Sequence, residues 1–439
     1  MPQKLSRAEI AEMIKRGESV PAEYIDMLCH NLKPQLVYSK TQQTELDLPY
    51  EIRLQEQHIG SEHGNKWSNL LIWGESAHIL RILLDQSLSD IENAGGIKMI
   101  YLDPPFNVGS DFYMTRKVGA SKKNLKIKAY TDSWTEGLNE YLSMIHPVIE
   151  LSHQALASTG SIFVHCGHQT SAHLRLILDE VFGADHFLNE LIFAYGAGGN
   201  PKNYFPRKHD SILWYSKSKT HSFSTEAPIL RVPYDSSTLN THFKHKDKDG
   251  RLYRDQKVGE RTYRSYADRG KRVTDVWSDL GAQNARSPIS GESTGYPTQK
   301  PERLLERIIS AATLPGDLIA DFFCGSGTTL SVASRLNRNW IGCDAGFLGI
   351  QTTKKRLLKQ QILFEIRRLI PISNEIVTPS CESLHRLESE ASNETLSVEC
   401  PRLTFSPASP PLSNSYVIAS SVDDISLEIP LLNPRVNIL

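Results

Sequence analysis

Two short stretches carry residue types that could act together on one substrate. The first, KMIYLDPPFNVG (98–109), runs from an apolar strand directly into an acid, two prolines and a phenyl ring. Proline locks φ, so the pair fixes the direction of the carbonyl between them. Asp103 and the Pro104 carbonyl are then two acceptors held at a strand end, with Phe106 as a flat apolar surface beside them. That set suits an exocyclic amine on an aromatic base. The lone pair of such an amine is delocalised into its ring, and two acceptors on the N–H groups would draw the nitrogen toward tetrahedral geometry while Phe106 stacks on the base. A methyl group on a sulfonium is the matching electrophile, because attack discharges a cation and needs alignment more than a strong base. A base inside a duplex must leave its stack to be reached. Asp103, Pro104, Pro105 and Phe106 are the candidate catalytic residues. The plain alternative is a turn acid that caps local N–H groups before a strand stop.

The second stretch, DFFCGSGTT (321–329), reads as a strand, a turn with Gly325 and Gly327, and the start of a helix. Such a turn lets a ligand approach bare backbone. The next strand, WIGCDA, ends on Asp344, where an acid in doubly wound sheets commonly holds ribose hydroxyls. A phosphate-binding P-loop requires G-K-[ST], and Thr328 and Thr329 stand there instead. A dinucleotide fingerprint requires a third glycine, and Leu330 occupies its place. What remains is a nucleoside cofactor without a pyrophosphate, of which S-adenosylmethionine is the obvious member, or a glycine turn that holds nothing. Asp321, Phe322, Phe323, Gly325, Gly327, Thr328 and Asp344 are the cofactor-binding candidates.

Elements must position both stretches. From Trp67 the chain alternates strand and helix patterns: NLLIWGES, AHILRILLDQSL, IKMIYLDPPF, then a helical GLNEYLSMIHPVIELSHQALAST with Pro147 as a kink or break. Strands at GSIFVHCG, ELIFAYGAGG and HDSILWYSKS follow, with a helix closed by Gly183 between the first two. Order returns at YPTQKPERLLERIISAATLPGD, whose Pro301 suits a first helical turn. The expectation is an α/β, Rossmann-like, doubly wound and mostly parallel sheet. Its divisions are 1–60, a helical extension; 61–219, a catalytic half; 220–290, an insertion; 291–369, a cofactor-binding half; and 370–439, an acidic Ser/Pro-rich tail.

The totals limit the class of protein. At 439 residues, 39% hydrophobic and 23% charged, the composition is that of a globular chain. No apolar run approaches the ~20 residues of a membrane span, and the first residues lack a signal-peptide core, so a cytoplasmic location is expected. Six scattered cysteines without a C-x-x-C pair argue against a disulfide framework or a structural zinc. His165, Cys166, His168 and His173 lack a second ligand pair at zinc spacing and read as structural or substrate-facing, so no metal is expected. The net charge of −1 hides an asymmetry: residues 371–439 hold nine acids and three basic residues, leaving +5 on the rest.

Nucleic acid is the partner that this basic body suits. Residues 220–290 hold thirteen Lys/Arg against nine acids, with Tyr253, Tyr263 and Tyr266 interleaved. Arg251, Arg254, Arg261 and Arg264 are its candidate phosphate contacts. The stretch RKVGASKKNLKIK (116–128) carries six basic residues and no acid directly after the first motif. Lys122, Lys123 and Lys126 are candidates to clamp the strand beside an extruded base. A solvated surface is the bland reading of both. Trp134 and Trp277, in DSW and WSD, read as buried loop anchors.

From Trp67 to about Leu358 the chain resembles the S-adenosylmethionine-dependent amino-methyltransferases that act on DNA. That family pairs a D/S/N-P-P-aromatic motif with F-x-G-x-G, here Asp103–Phe106 and Phe323–Gly327. The catalytic motif comes first and a variable block lies between, which is similar to the family's β class and its circularly permuted order with an inserted target-recognition region. By resemblance, Thr298 and Lys300 in GYPTQKPERLLERII lie near the cofactor, and Glu75 stands where the first strand usually ends in Gly-Asp. The resemblance implies transfer of a methyl group to adenine N6 in double-stranded DNA, because Asp before Pro-Pro is usual for adenine and Ser for cytosine. Cytosine N4 is the alternative within the fold, and a catalytically idle DNA-binding module the alternative outside catalysis. RNA or protein-glutamine methyltransferases usually carry the cofactor motif first. Relatives include type III modification subunits and partners of separate nucleases, so a homodimer and a separate restriction endonuclease are the implied partners.

Overall fold

The apolar runs that flank the two motifs lie side by side in one sheet. The computed structural model describes residues 50–58, 67–117, 124–195, 199–280, 291–371 and 397–398. Its first part comprises strands β1 (Tyr50–His58), β2 (Leu70–Trp73), β3 (Ile97–Leu102), β4 (Phe112–Lys117), β5 (Asn124–Tyr130), β6 (Leu156–Cys166), β7 (Phe187–Ala194) and β8 (His209–Ser216). Helices α1 (Ser76–Gln86), α2 (Leu88–Asn93), α3 (Leu138–Ala155) and α4 (Ser171–Leu178) connect them. The helix α3 continues through Pro147, so the proline neither ends nor divides it. A π-helical turn at Asp179–Gly183 follows α4, and Gly183 closes it at φ 87.

Residues 220–280 hold short elements only: β9 (Arg231–Val232), α5 (Ser236–His242), β10 (His245–Lys246), β11 (Leu252–Val258), β12 (Arg261–Tyr266), β13 (Lys271–Arg272) and β14 (Val276–Trp277). Strands β10, β11 and β12 form a separate antiparallel sheet. Trp277 is buried as expected, with its indole donating to the Thr274 carbonyl at 2.6 Å. The last part contains α6 (Glu302–Ala312), β15 (Leu318–Asp321), α7 (Thr328–Arg335), β16 (Asn339–Asp344), α8 (Phe347–Lys359) and β17 (Phe364–Pro371). Pro301 caps α6 rather than opening its first turn.

The main sheet has ten strands in the order β1-β17-β2-β16-β15-β3-β6-β8-β7-β14. Pairing is parallel from β17 through β6, and antiparallel at β1–β17, β6–β8 and β8–β7. Residues 50–58, expected within a helical extension, are therefore an edge strand on β17. The rest of that extension, residues 1–49, and most of the acidic tail lie outside the described residues. The central strands read as unbroken apolar runs because both of their faces are covered. Leu71, Met99, Tyr101 and Ile319 pack in one cluster with Leu304 of α6, Leu330 of α7 and Ile350 of α8. The alternate residues Leu70, Ile72, Ile100 and Leu102 are buried too, on the side where α1 packs on α3.

Leu330 shows how the turn works without a third glycine. That glycine ordinarily permits close helix–strand packing. Here a Cβ at Gly342, on the adjacent strand β16, would overlap the Leu330 side chain. The missing side chain has moved from the helix to the strand, and the close approach is kept.

Candidate active site

Parallel α/β sheets bind ligands at the carboxyl ends of their strands. In this sheet those ends carry acids. Asp103 follows β3, Asp321 ends β15, Asp344 ends β16, and Glu75 lies two residues beyond β2. Register places Asp321 beside Tyr101 and Gly342, so Asp103 and Asp344 each project two residues further on neighbouring strands. Both motifs, more than 200 residues apart in the chain, thus meet on adjacent strands.

The loop after β3 is held from below by a residue that the sequence reading passed over. The buried Asp132 carboxylate accepts from the backbone N–H of Phe106 at 3.2 Å, Asn107 at 2.7 Å and Val108 at 3.1 Å. It also accepts from the Trp134 indole at 3.2 Å. Asn107 adopts φ 59, which turns these three donors toward one acid. The signal for Asp132 was its place in DSW, where only the tryptophan drew notice.

Phe106 lies on the His165 ring with 5.6 Å between centroids, and a Cβ at Gly167 would come within 3.2 Å of it. Beneath, Tyr101 and His165 Nδ1 are 2.7 Å apart, His165 Nε2 is 3.2 Å from Asp210, and Tyr195 donates to Asp210 at 3.0 Å. Burial raises the Asp210 carboxyl, but the His165 hydrogen bond and the charges of His165 and Lys300 outweigh it and leave the pKa low. Burial, then the charges of Asp103, Asp321 and Asp210, push the Tyr101 phenol well above its usual range. The two ring nitrogens are thus both engaged, Nε2 with Asp210 and Nδ1 with the Tyr101 hydroxyl. His165 is therefore a structural histidine supporting the Phe106 ring.

Lys300, expected near the cofactor, contacts the catalytic motif. Its Nζ bonds Asp103 Oδ1 at 2.8 Å and lies 4.7 Å from the Phe106 ring centroid, so it faces the catalytic motif directly. Thr298, at φ 57, is hydrogen-bonded with the Tyr130 hydroxyl at 2.9 Å and donates to the Pro297 carbonyl. Tyr130 stacks on Phe112 and Tyr296, which brings the β4–β5 hairpin against Tyr296.

The glycine turn is arranged around Asp344. Its carboxylate accepts from Gly325 N–H at 2.8 Å and Gly346 N–H at 2.7 Å. Gly325 and Gly327 adopt φ 49 and 71, and a Cβ at Gly327 would overlap Thr353. Asp321 is fully buried and accepts from Phe323 N–H at 3.0 Å, and burial first, then the nearby Asp103 and Asp344, push its carboxyl up to about 7. Phe323 and Glu75 are half-buried at this edge. Two candidates face inward instead. The Phe322 ring is wholly buried in the core, and the Thr328 hydroxyl bonds Arg356 at 2.9 Å and the Lys300 carbonyl. Both are corrected to residues that shape the turn through packing and backbone.

The basic candidates divide. Arg251 is held bidentate by Asp268 at 2.7 and 2.9 Å, and Arg264 by Asp255 at 2.8 and 2.9 Å. Both charges are matched by acids of the same insertion. Arg254 lies over the rings of Tyr234 and Phe243. Arg261 is exposed at the β11–β12 turn and Lys126 is exposed on β5. Lys122 and Lys123 lie outside the described residues.

The family model described as DNA methylase matches residues 97–349, from the first residue of β3 into α8. The chain belongs to the DNA methylase family. Type II methyltransferase M.EcaI of Enterobacter cloacae is 29% identical to this methylase over 347 residues, covering 68% of this chain and 72% of that protein. DNA adenine methyltransferase YhdJ of Escherichia coli (strain K12) is 24% identical over 266 residues, covering 60% of this chain and 77% of that one. Among solved structures, the M1.HpyAVI–SAM complex overlays at a TM-score of 0.39 and 19% identity, covering 66% of this chain and 98% of that one. Among the described residues of the methylase, no helix is long and apolar enough to cross a membrane.

Proposed function

We propose that this methylase transfers a methyl group from S-adenosylmethionine to the N6 amine of adenine in double-stranded DNA, on a base turned out of the helix. One observation carries the reading: Asp103 and the Gly325 turn end adjacent parallel strands, β3 and β15, so an acceptor pair for an amine stands next to a backbone cradle for a nucleoside. The donor set fits S-adenosylmethionine. The half-buried Asp344 suits ribose hydroxyls, and the left-handed Gly325 offers backbone without a side chain, while Gly327 lets the turn close on Thr353. Gly325, Gly327, Phe323, Asp344 and Glu75 would hold the donor, which supplies an electrophilic methyl group on a sulfonium. Asp103 and the Pro104 carbonyl accept the two amine N–H groups and aim the nitrogen lone pair, and Phe106 stacks on the base. The proton released from the methylated amine goes to Asp103 or to water.

Asp at the first motif position, together with an adenine methyltransferase among the relatives, favours adenine over cytosine. A cytoplasmic location, assembly as a homodimer and a separate restriction endonuclease belong to the same proposal, and a type II methyltransferase among the relatives is consistent with the last of these. Digesting treated, previously unmethylated DNA to nucleosides tests the base. N6-methyladenine is expected by mass spectrometry. N4-methylcytosine would move the reaction to the other amine, and no methylated base would refute catalysis.

A further inference from the structure

The strand pairing puts one more feature at the catalytic edge. Strand β8 runs antiparallel to both β6 and β7, so β7 ends at the same edge as β6 and β3. Residues 199–208, between β7 and β8, therefore leave the sheet at the edge that carries Asp103, with β6 between β8 and β3. The pairing of Ala194 with His209 and the Tyr195 N–H bond to the Lys208 carbonyl at 2.8 Å close the base of this loop. His168, next to the Gly167 that abuts Phe106, is held below the ordinary imidazole range by burial and then by the charges of Arg207 and His209.

The loop presents to solvent what a surface normally covers. Phe205 is 94% exposed and Tyr204 56%, with the Arg207 guanidinium 4.8 Å from the Tyr204 ring centroid. Lys202 and Arg207 are exposed on either side. Pro206 restricts Phe205 to extended backbone, which stiffens the tip. An exposed ring between cations is the surface chemistry of nucleic-acid contact, in which phosphates meet the charges and bases meet the ring.

We propose that this loop enters the duplex beside the target base, with Phe205 inserted into the stack where the extruded base has left and Lys202 and Arg207 on the flanking phosphates. The proposal rests on the reading of the protein as an enzyme that turns its target base out of DNA. Extrusion breaks stacking on both neighbours, and an inserted apolar ring restores part of it. Because Phe205 supports nothing in the fold, its truncation should leave stability untouched.

The test places 2-aminopurine at the position that wild-type protein methylates, mapped beforehand by sequencing treated DNA. Wild-type protein should brighten the probe. Phe205→Ala should lose most of that rise, and its KM for duplex DNA should climb about tenfold or more, the loss of one aromatic–base stack. Its melting temperature and affinity for S-adenosylmethionine should stay unchanged, Phe205→Trp should restore extrusion, and a target opposite an abasic site should narrow the defect. Wild-type extrusion and KM in Phe205→Ala would overturn the proposal. So would an altered oligomeric state with DNA behaviour unchanged, which would assign the ring to a contact between two copies of the chain. Failure of wild-type protein to methylate any base would overturn both this proposal and the reading beneath it, and is told apart by that control.

Discussion

Lys300 Nζ touches Asp103 Oδ1 at 2.8 Å across 197 residues of chain and at the same time lies 4.7 Å from the centre of the Phe106 ring. One ammonium thus contacts both groups that the proposed chemistry gives to the target base. Neither partner is open to bulk water, at 13% and 19% side-chain exposure, so the pair is directional rather than merely a surface attraction. It steadies the Asp103 carboxylate through Oδ1.

Lys300→Met keeps the length of the side chain and removes its charge. Turnover at saturating DNA should fall about tenfold to a hundredfold as the carboxylate loses its alignment. Equilibrium binding of S-adenosylmethionine should change little, and Lys300→Arg should recover part of the rate. Lost donor affinity with unchanged turnover would instead make Lys300 a cofactor ligand, as its sequence position suggested.

Asp132 anchors the catalytic loop through three backbone donors and one indole. Asp132→Ala leaves buried N–H groups unpaired, at about 1–3 kcal/mol for each group that stays dry. The variant should melt several degrees lower, and its turnover should fall further than its donor affinity. Calorimetry beside steady-state kinetics checks both. A variant with normal turnover would show that the loop holds its shape without this acid.

Asp321 makes stability depend on pH. Its folded pKa of about 7 lies above the ordinary 3.8, so the folded state binds the proton more tightly than the unfolded one. The contribution is fully present below pH 3.8 and is lost as pH rises through about 7. Asp321→Asn cannot ionise. It should therefore melt higher than wild type at about pH 8, with the advantage shrinking toward about pH 4. A constant difference across that range would remove Asp321 as the titrating group.

The paired and unpaired arginines should separate in salt titrations of DNA binding. Arg261→Ala and Lys126→Ala should each lower the slope of log affinity against log salt by about 1, as one phosphate contact is lost. Arg251→Ala and Arg264→Ala should leave it nearly unchanged, because Asp268 and Asp255 already neutralise those charges. Equal effects from all four would mean that DNA breaks the internal pairs.

What was legible in the sequence was local. The apolar run before Asp103 and the glycines after Asp321 announce a strand end and a turn within a dozen residues, because backbone conformation and strand burial are set by near neighbours. Their meeting was legible only through the resemblance. Asp132 was missed because its three bonds lie 24–26 residues back along the chain, with nothing periodic to mark them. Residues 50–58 pair with β17 more than 300 positions away, and YEIRLQEQH, polar at most positions, signals an edge strand only weakly. The arginine pairs were invisible for the opposite reason. Asp255 and Arg264 sit opposite each other only once the hairpin register is known.

Methyl transfer by Asp103→Ala is the measurement that bears most directly on the mechanism. Labelled S-adenosylmethionine and unmethylated DNA would be mixed with wild-type and variant protein in single turnovers, with binding of both ligands measured alongside. The prediction is N6-methyladenine from wild type and a rate lower by about a hundredfold or more in the variant, the scale of losing one aligned polar contact to the reacting centre. Donor and DNA should still bind. A variant that methylates adenine at the wild-type rate would contradict the account, because the carboxylate at the end of β3 would then have no part in aiming the amine.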